Sequence, residues 1–209
     1  VATKLGIEFK VFDFEKEYKQ KVVDYMLDEF KAGRTPNPDI MCNQEIKFKL
    51  FYDLCREQGA DYIATGHYSK ITEDHITKRM LLLRPNDASK DQTYVLYCLS
   101  QEQLRRTKMP LADYTKAEIR GKAESLGFQN ANRPDSQDIC FVPDGEYADF
   151  IENYANIKSE PGDFVDINAN VLGKHSGIIR YTVGQRKGLG IALGRPMIEK
   201  KKDAALNRV

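Results

Sequence analysis

The chain has 209 residues, enough for a main domain and a smaller second one. Its hydrophobic fraction of 41% and charged fraction of 30% are typical of a folded globular protein and exclude an intrinsically disordered chain. With 32 basic and 31 acidic residues the net charge is +1, so any nucleic-acid site must be local. No apolar run approaches the roughly 20 residues of a membrane span. We therefore expect a cytoplasmic protein that has no membrane partner.

The cysteines stand at positions 42, 55, 98 and 140, and none belongs to a Cys-x-x-Cys pair. The histidines share no ligand spacing with them, so we expect no metal site in the chain. Without an export signal the thiols are expected to be reduced, and any disulfide to be transient and catalytic. Cys55 and Cys98 lie in predicted helices, where we interpret them as core residues.

Predicted strands and helices alternate through residues 1–144, in the order of an α/β fold. The strands are predicted at Ile7–Phe14, Tyr62–Thr65, Arg79–Leu83 and Ile139–Val142. The helices are predicted at Glu15–Ala32, Gln44–Gln58, Gln92–Arg106 and Tyr114–Leu126, with a loop at Thr35–Cys42 and a charged linker before Arg79. The first helix repeats Val22, Met26 and Phe30 at spacing four, and the last one opens with a capping box. This alternation predicts a mostly parallel sheet covered by helices on both faces.

Residues 145–196 have a different sequence pattern, with short strand-like stretches and several glycines. Strand-like patterns occur at Asp163–Ile167, at Val171–Leu172 after an Asn-Ala-Asn turn, and at Gly177–Val183. We predict a small β-rich second domain here. Residues 197–209 form a tail that the sequence leaves unassigned.

The proline-rich segment 33–48 places polar side chains and a cysteine just before a predicted helix. Two prolines stiffen the loop and would hold Asn37, Asp39 and Cys42 in defined positions. Because a helix N-terminus favours a thiolate, Cys42 is a candidate reactive thiol. The alternative is that Cys42 is only a small, buried apolar residue of the core.

Two further segments combine residues suited to nucleotide contact. A predicted strand runs into Gly66 and His67, at the sheet edge where open α/β folds bind ligands, and a glycine lets a nucleotide approach the backbone. The alternative is that Gly66 is only a β-turn glycine and His67 only a surface histidine. Lys90, Asp91 and Gln92 supply a charge and both hydrogen-bond polarities for phosphate, ribose or base, and a solvated loop also explains them.

The fourth segment, residues 133–142, runs from a polar cluster into Cys140 on a short apolar strand. A half-buried thiol beside polar groups is a setting for thiol chemistry, and a plain core cysteine is the alternative.

Taken in order, these four segments resemble the tRNA-specific 2-thiouridylase family, where they occur with comparable gaps. A fifth segment, Thr182–Ile191, resembles the signature of that family's central domain, and Pro161–Asp166 and Gly173–Gly177 precede it. The resemblance covers residues 1–196. It implies a partial Rossmann-like sheet of the adenine nucleotide alpha hydrolase type, followed by a small β-rich domain.

The resemblance also implies a role for each matched residue. Cys140 aligns with the cysteine that carries a persulfide, and Cys42 with the second catalytic cysteine, which releases the sulfur. Asp39 aligns with a carboxylate proposed for proton transfer, and Gly66 with an ATP contact. The positions aligned with tRNA contacts are Asn37, Pro38, Asp39, His67, Lys90, Asp91 and Gln92.

The implied reaction replaces the C2 oxygen of the wobble uridine, in the tRNA anticodon loop, with sulfur. ATP, used with Mg²⁺, turns that oxygen into the leaving group AMP, and the persulfide sulfur of Cys140, or hydrosulfide released from it by Cys42, attacks C2. Sulfur delivery leaves a Cys42–Cys140 disulfide, so the implied partners are a reductant and a sulfur-relay protein or cysteine desulfurase. The base is expected to turn out of the anticodon stack.

The sequence departs from the family pattern at both ends. The family's Ser-Gly-Gly-x-Asp-Ser phosphate loop and C-terminal β-barrel do not occur in these residues, so we expect the chain alone to have little ATP pyrophosphatase activity. Alternative interpretations are another tRNA-modifying ATP pyrophosphatase and a noncatalytic tRNA-binding fragment. A dithiol redox protein is disfavoured because Cys42 and Cys140 form no Cys-x-x-Cys pair.

Overall fold

The computed structural model describes residues 1–133, 147–154, 159–191 and 198–209. The chain divides into two compact units, which are Val1–Lys21 with Asp39–Asp135 and Val22–Pro38 with Ser136–Val209. Cys140 and the strand predicted around it lie outside the described residues.

The strand predicted at residues 7–14 is wrong, because this segment has no strand structure. Phe9 and Val11 are 74% and 78% exposed, although alternation predicts that they share a buried face. An alternating pattern becomes a strand only where a neighbouring strand takes up the backbone hydrogen bonds.

The first predicted long helix is confirmed. It comprises Glu15–Tyr18, a π-helical segment Lys19–Val23, and Asp24–Lys31. The apolar residues at spacing four, Val22, Met26 and Phe30, are all buried. Gly33 follows with φ 74°, a left-handed conformation that suits glycine after a helix.

The second long helix begins earlier than predicted, inside the supposed loop. Its segments are Pro38–Met41, the π-helical Cys42–Phe51, and Tyr52–Glu57; we call it the Cys42 helix. Proline is well suited to the first helical position because the N–H that it lacks would have no partner there. The predicted loop is therefore wrong from Pro38 onward, because a proline that starts a helix gives the same sequence pattern as a proline that stiffens a loop.

Three short sheets, each of two strands, are present in the described residues. Strand β1 (Ile63–Ala64) pairs in parallel with β4 (Thr107–Lys108). Strands β2 (Lys70–Glu73) and β3 (Met80–Leu83) form an antiparallel hairpin. The strands predicted at Tyr62–Thr65 and Arg79–Leu83 are confirmed, whereas the charged linker before the second one contains β2.

The helix predicted at Gln92–Arg106 is broken into a 3₁₀ turn, Thr93–Leu96, and a separate α-helix, Gln101–Arg105. Ser100 caps the new helix by accepting a hydrogen bond from the Gln103 backbone, so the chain restarts a helix at that point. The next predicted helix is confirmed as Lys116–Ser125, with its capping box at Thr115.

An apolar cluster at the centre of the first unit brings the Cys42 helix against β1 and the 3₁₀ turn. Its buried members are Phe48, Tyr52, Ile63, Val95, Leu96 and Met109. No helix in the described parts of the chain is long and apolar enough to cross a membrane.

The second unit contains a helix, Tyr147–Tyr154, and an antiparallel hairpin of β5 (Gly162–Val165) and β6 (Val171–His175). The segment predicted as a strand at 177–183 holds a 3₁₀ turn, Ile178–Arg180, instead. The final residue packs in this unit, since the Val209 backbone N–H donates to the Asp163 carbonyl at 3.0 Å.

Candidate functional site

Asp39 and Cys42 lie three residues apart on the Cys42 helix, so they share one of its faces. Cys42 is buried, with 9% of its surface exposed, and Asp39 is exposed. Cys42 is the fifth helical residue and not a residue just before the helix. The helix dipole acts mainly within the first turn, so it favours the thiolate less than the sequence suggested.

Asn43 is a buried polar residue that the sequence analysis did not single out. Only 1% of its surface is exposed, and its Nδ2 donates to the Val95 carbonyl oxygen at 3.1 Å. Its Oδ1 has no hydrogen-bond partner in the described structure. This bond fixes the Cys42 helix to the 3₁₀ turn that follows Gln92. The sequence did not indicate this role, because a single asparagine next to Cys42 does not show whether its side chain is buried.

His67 is buried and neutral, contrary to the alternative of a surface histidine. It is 8% exposed, its Nδ1 lies 2.9 Å from the Thr65 hydroxyl oxygen, and its ring centroid is 5.9 Å from that of Phe48 on the Cys42 helix. Burial, helped by the positive charge of Lys47, lowers the pKa of His67 from 6.5 to about 4. At neutral pH the ring therefore offers hydrogen bonds without a positive charge.

Gly66, beside His67, leaves its backbone open. A Cβ added at this position would meet no atom within 4 Å. The backbone after β1 therefore has the room that close approach of a nucleotide requires.

The side chains of Asp91 and Gln92 accept hydrogen bonds from backbone N–H groups, one close in sequence and one 24 positions away. Gln92 Oε1 accepts from the Tyr68 N–H at 3.0 Å, and the Gln92 N–H donates to the Tyr68 carbonyl at 2.9 Å. Asp91 accepts from the Thr93 N–H at 2.9 Å, and hydrogen bonds from Thr93 lower the pKa of the Asp91 carboxyl. A merely solvated loop does not describe these two residues, which fix the segment after Lys90.

These bonds bring three predicted site segments into one network in the first unit. Asn43 fixes the Cys42 helix to the 3₁₀ turn, and Gln92 fixes the start of that turn to Tyr68. The His67 ring packs at a tilt against Phe48 of the helix. At the start of the helix Asn37 is half-buried and Pro38 is buried. Cys140 lies outside the described residues, so its position relative to Cys42 stays a prediction.

Cys55 and Cys98 are less suited to thiol chemistry. Cys55 packs against the apolar cluster of the first unit. Burial raises the pKa of both thiols above the ordinary value, which disfavours the reactive thiolate. Within the described residues no group of three His, Cys, Asp or Glu side chains could hold a metal ion.

Family models match both parts of the chain. Residues 1–144 match the tRNA methyl transferase HUP domain, and residues 148–209 match the tRNA methyl transferase PRC-barrel domain. The first match confirms the predicted Rossmann-like α/β class, and the second supplies the small second domain.

Curated relatives are similar over almost the whole chain. The tRNA-specific 2-thiouridylase MnmA of Clostridioides difficile is 51% identical over 94% of this chain, and that of Acetivibrio thermocellus is 51% identical over 100%. The protein of the same name from Lachnoclostridium phytofermentans is 54% identical over 94%. The aligned region spans 55%, 58% and 55% of these relatives, respectively, so this chain corresponds to little more than half of their length.

Proposed function

Since this chain belongs to the tRNA-specific 2-thiouridylase family, we propose that it forms the sulfur-transfer core of an enzyme that converts the wobble uridine of tRNA to 2-thiouridine. The observation that carries the proposal is the Cys42 helix, which presents Cys42 and Asp39 on one face beside the His67 and Gln92 segments. A thiol and a carboxylate one turn apart suit sulfur release coupled to proton transfer.

Sulfur transfer also fits these residues better than methyl transfer, which the description of the family models names. Methyl transfer needs no pair of cysteines. Burial raises the pKa values of Cys55 and Cys98, so these two thiols are poor candidates for the transfer. We propose that the persulfide forms on Cys140 and that Cys42 attacks its inner sulfur, so that the outer sulfur leaves for C2 and a disulfide remains.

ATP would bind beside the backbone of Gly66. When bound it would supply an adenylyl group to the C2 oxygen, with release of pyrophosphate, so that this oxygen later leaves as part of AMP. Gly66 would admit the nucleotide because no atom fills the space beside its Cα. His67 would offer a neutral hydrogen bond to RNA, and Lys90 a charge to phosphate. Asp39, with Asn37 and Pro38, would contact the target base, and Asp39 would take or give its proton. The described residues offer no Mg²⁺ ligand cluster, and we assign no step to that ion.

The remaining proposals concern the protein's organisation and setting. We propose a catalytic domain at 1–144 and a second domain from 145, with the tail 197–209 joined to it through Val209. The sulfur would come from a relay protein or a cysteine desulfurase. The cytoplasm, where tRNA and reduced thiols occur together, is the proposed location.

Nucleoside analysis tests the proposal in a protein where this chain is completed to the length of its relatives. The protein is incubated with unmodified tRNA, ATP, Mg²⁺ and a persulfide donor, and 2-thiouridine is measured after digestion. Cys42→Ser and Asp39→Asn should lower the yield by about 100-fold or more. The control Cys55→Ser should stay close to wild type. Equal yields from Cys42→Ser and Cys55→Ser, or no 2-thiouridine from wild type, would refute the proposal.

A further inference from the structure

A basic cleft lies in the second unit, and none of its lining residues is assigned a role above. It encloses about 410 Å³, and its polar lining residues are Arg34, Thr35, Thr182, Lys200, Lys201 and Lys202. No acidic side chain lines it among the described residues. Four cations and two hydroxyl groups around one opening form a donor set suited to phosphate oxygens.

Lys202 joins the two walls of the cleft. Its Nζ donates to the Thr35 hydroxyl oxygen at 3.0 Å and to the Tyr181 carbonyl oxygen at 2.9 Å. Because Thr35 accepts from an ammonium group, its own hydroxyl proton remains to be donated and is polarised towards an anion. These bonds fix the two walls relative to each other and leave a hydroxyl donor at the cleft.

The neighbouring acids leave the cleft positively charged. Glu29 pairs with Arg34 outside the lining, through the Nε and Nη2 atoms. Glu199 does not line the cleft, but it lines a neighbouring cavity with Lys200 and Lys201, and its charge acts on Lys202. Burial raises the pKa of the Glu199 carboxyl. Because this one acid stands against three lysines, the cleft keeps a positive charge. Lys200 and Lys201 are exposed and have no ion pair within the described part of the chain. Burial lowers the pKa of Lys202, a cost that a bound anion would offset.

We propose that this cleft binds a backbone phosphate of the tRNA substrate, as a second RNA contact carried by the second unit. The inference rests on the proposed function for the identity of the RNA. Lysines act as point charges and carry no base specificity, so the cleft would add affinity without reading sequence. An acidic protein segment is the competing occupant, but it would not need the two hydroxyl donors.

The test measures binding of an unmodified tRNA transcript to the full chain over a series of salt concentrations. Lys200→Gln/Lys201→Gln should lower the slope of log K against log salt by about 0.7 to 0.9, which is the contribution of the one phosphate contact that the cleft is proposed to make. The matched control Lys31→Gln/Lys122→Gln removes the same charge from exposed lysines that do not line the cleft, and it should keep the wild-type slope. Lys200→Arg/Lys201→Arg should also keep it.

Equal slopes for the cleft variant, its control and wild type would overturn the proposal. So would unchanged tRNA binding with loss of polyglutamate binding, which would identify an acidic protein partner. A normal thermal melt shows that the variants are folded. Failure of the proposed function looks different: it leaves the slope change intact while no 2-thiouridine forms. The variant Cys42→Ser should in turn lose thiolation and retain the wild-type slope.

Discussion

The buried neutral His67 predicts a specific pH dependence of stability. Its folded-state pKa of about 4 lies below the ordinary value of 6.5, so the unfolded chain takes up a proton first as the pH falls. The stabilising contribution of the neutral ring is fully present above pH 6.5 and is lost as the pH falls from 6.5 towards 4. With about 1.4 kcal/mol for each pKa unit, the loss between pH 7 and pH 4 is about 3 kcal/mol.

Urea unfolding followed by circular dichroism at several pH values between 7 and 4 measures this loss. Removal of the titrating ring in His67→Gln should make the free energy of unfolding fall by about 3 kcal/mol less than in wild type over this range. The exposed His75 provides the control, and His75→Gln should follow the wild-type curve. If the wild-type and His67→Gln curves run parallel, the ring is not held neutral by burial and the reasoning fails.

Two further predictions concern packing. Asn43→Leu removes the donor to the buried Val95 carbonyl and should lower the free energy of unfolding by about 1–3 kcal/mol. The control Gln44→Leu, on the exposed side, should change it by less than about 0.5 kcal/mol. Equal effects of the two substitutions in urea titrations would contradict a stabilising role of the Asn43 bond. Gly162→Ala would drive a Cβ into a backbone carbonyl and an imidazole ring and should cost about 1–3 kcal/mol. Gly121→Ala, in a helix with open space, should stabilise by about 0.5–1 kcal/mol, and a melting temperature that rises for both glycine variants would refute the packing argument.

Local patterns predicted those elements whose stabilising contacts are local. Val22, Met26 and Phe30 correctly placed the first long helix, and the capping box at Thr115 placed the start of Lys116–Ser125. Residues 7–14 failed because alternation does not supply a strand partner. A helix forms its backbone hydrogen bonds within its own segment, whereas a strand needs a partner elsewhere in the chain, and this difference explains these outcomes.

The residues of the candidate site also differ in how far the sequence could predict them. Cys42, Asp39 and His67 were found because their residue types carry chemistry, and family resemblance assigned their roles. Asn43 was missed because its importance depends on burial and on a bond to Val95, 52 positions away. The neutrality of His67 also needed the structure, since the packing of Phe48 and the charge of Lys47 are not visible in the sequence around it.

The central claim is that Cys140 carries the transferred sulfur and that Cys42 releases it. Peptide mass spectrometry after a single turnover without reductant, in the protein completed to the length of its relatives, tests this most directly. We expect an extra sulfur on Cys140 before tRNA is added and a Cys42–Cys140 disulfide afterwards. In Cys42→Ser the extra sulfur should stay on Cys140. An extra sulfur on Cys55 or Cys98, with Cys140 unmodified, would contradict it.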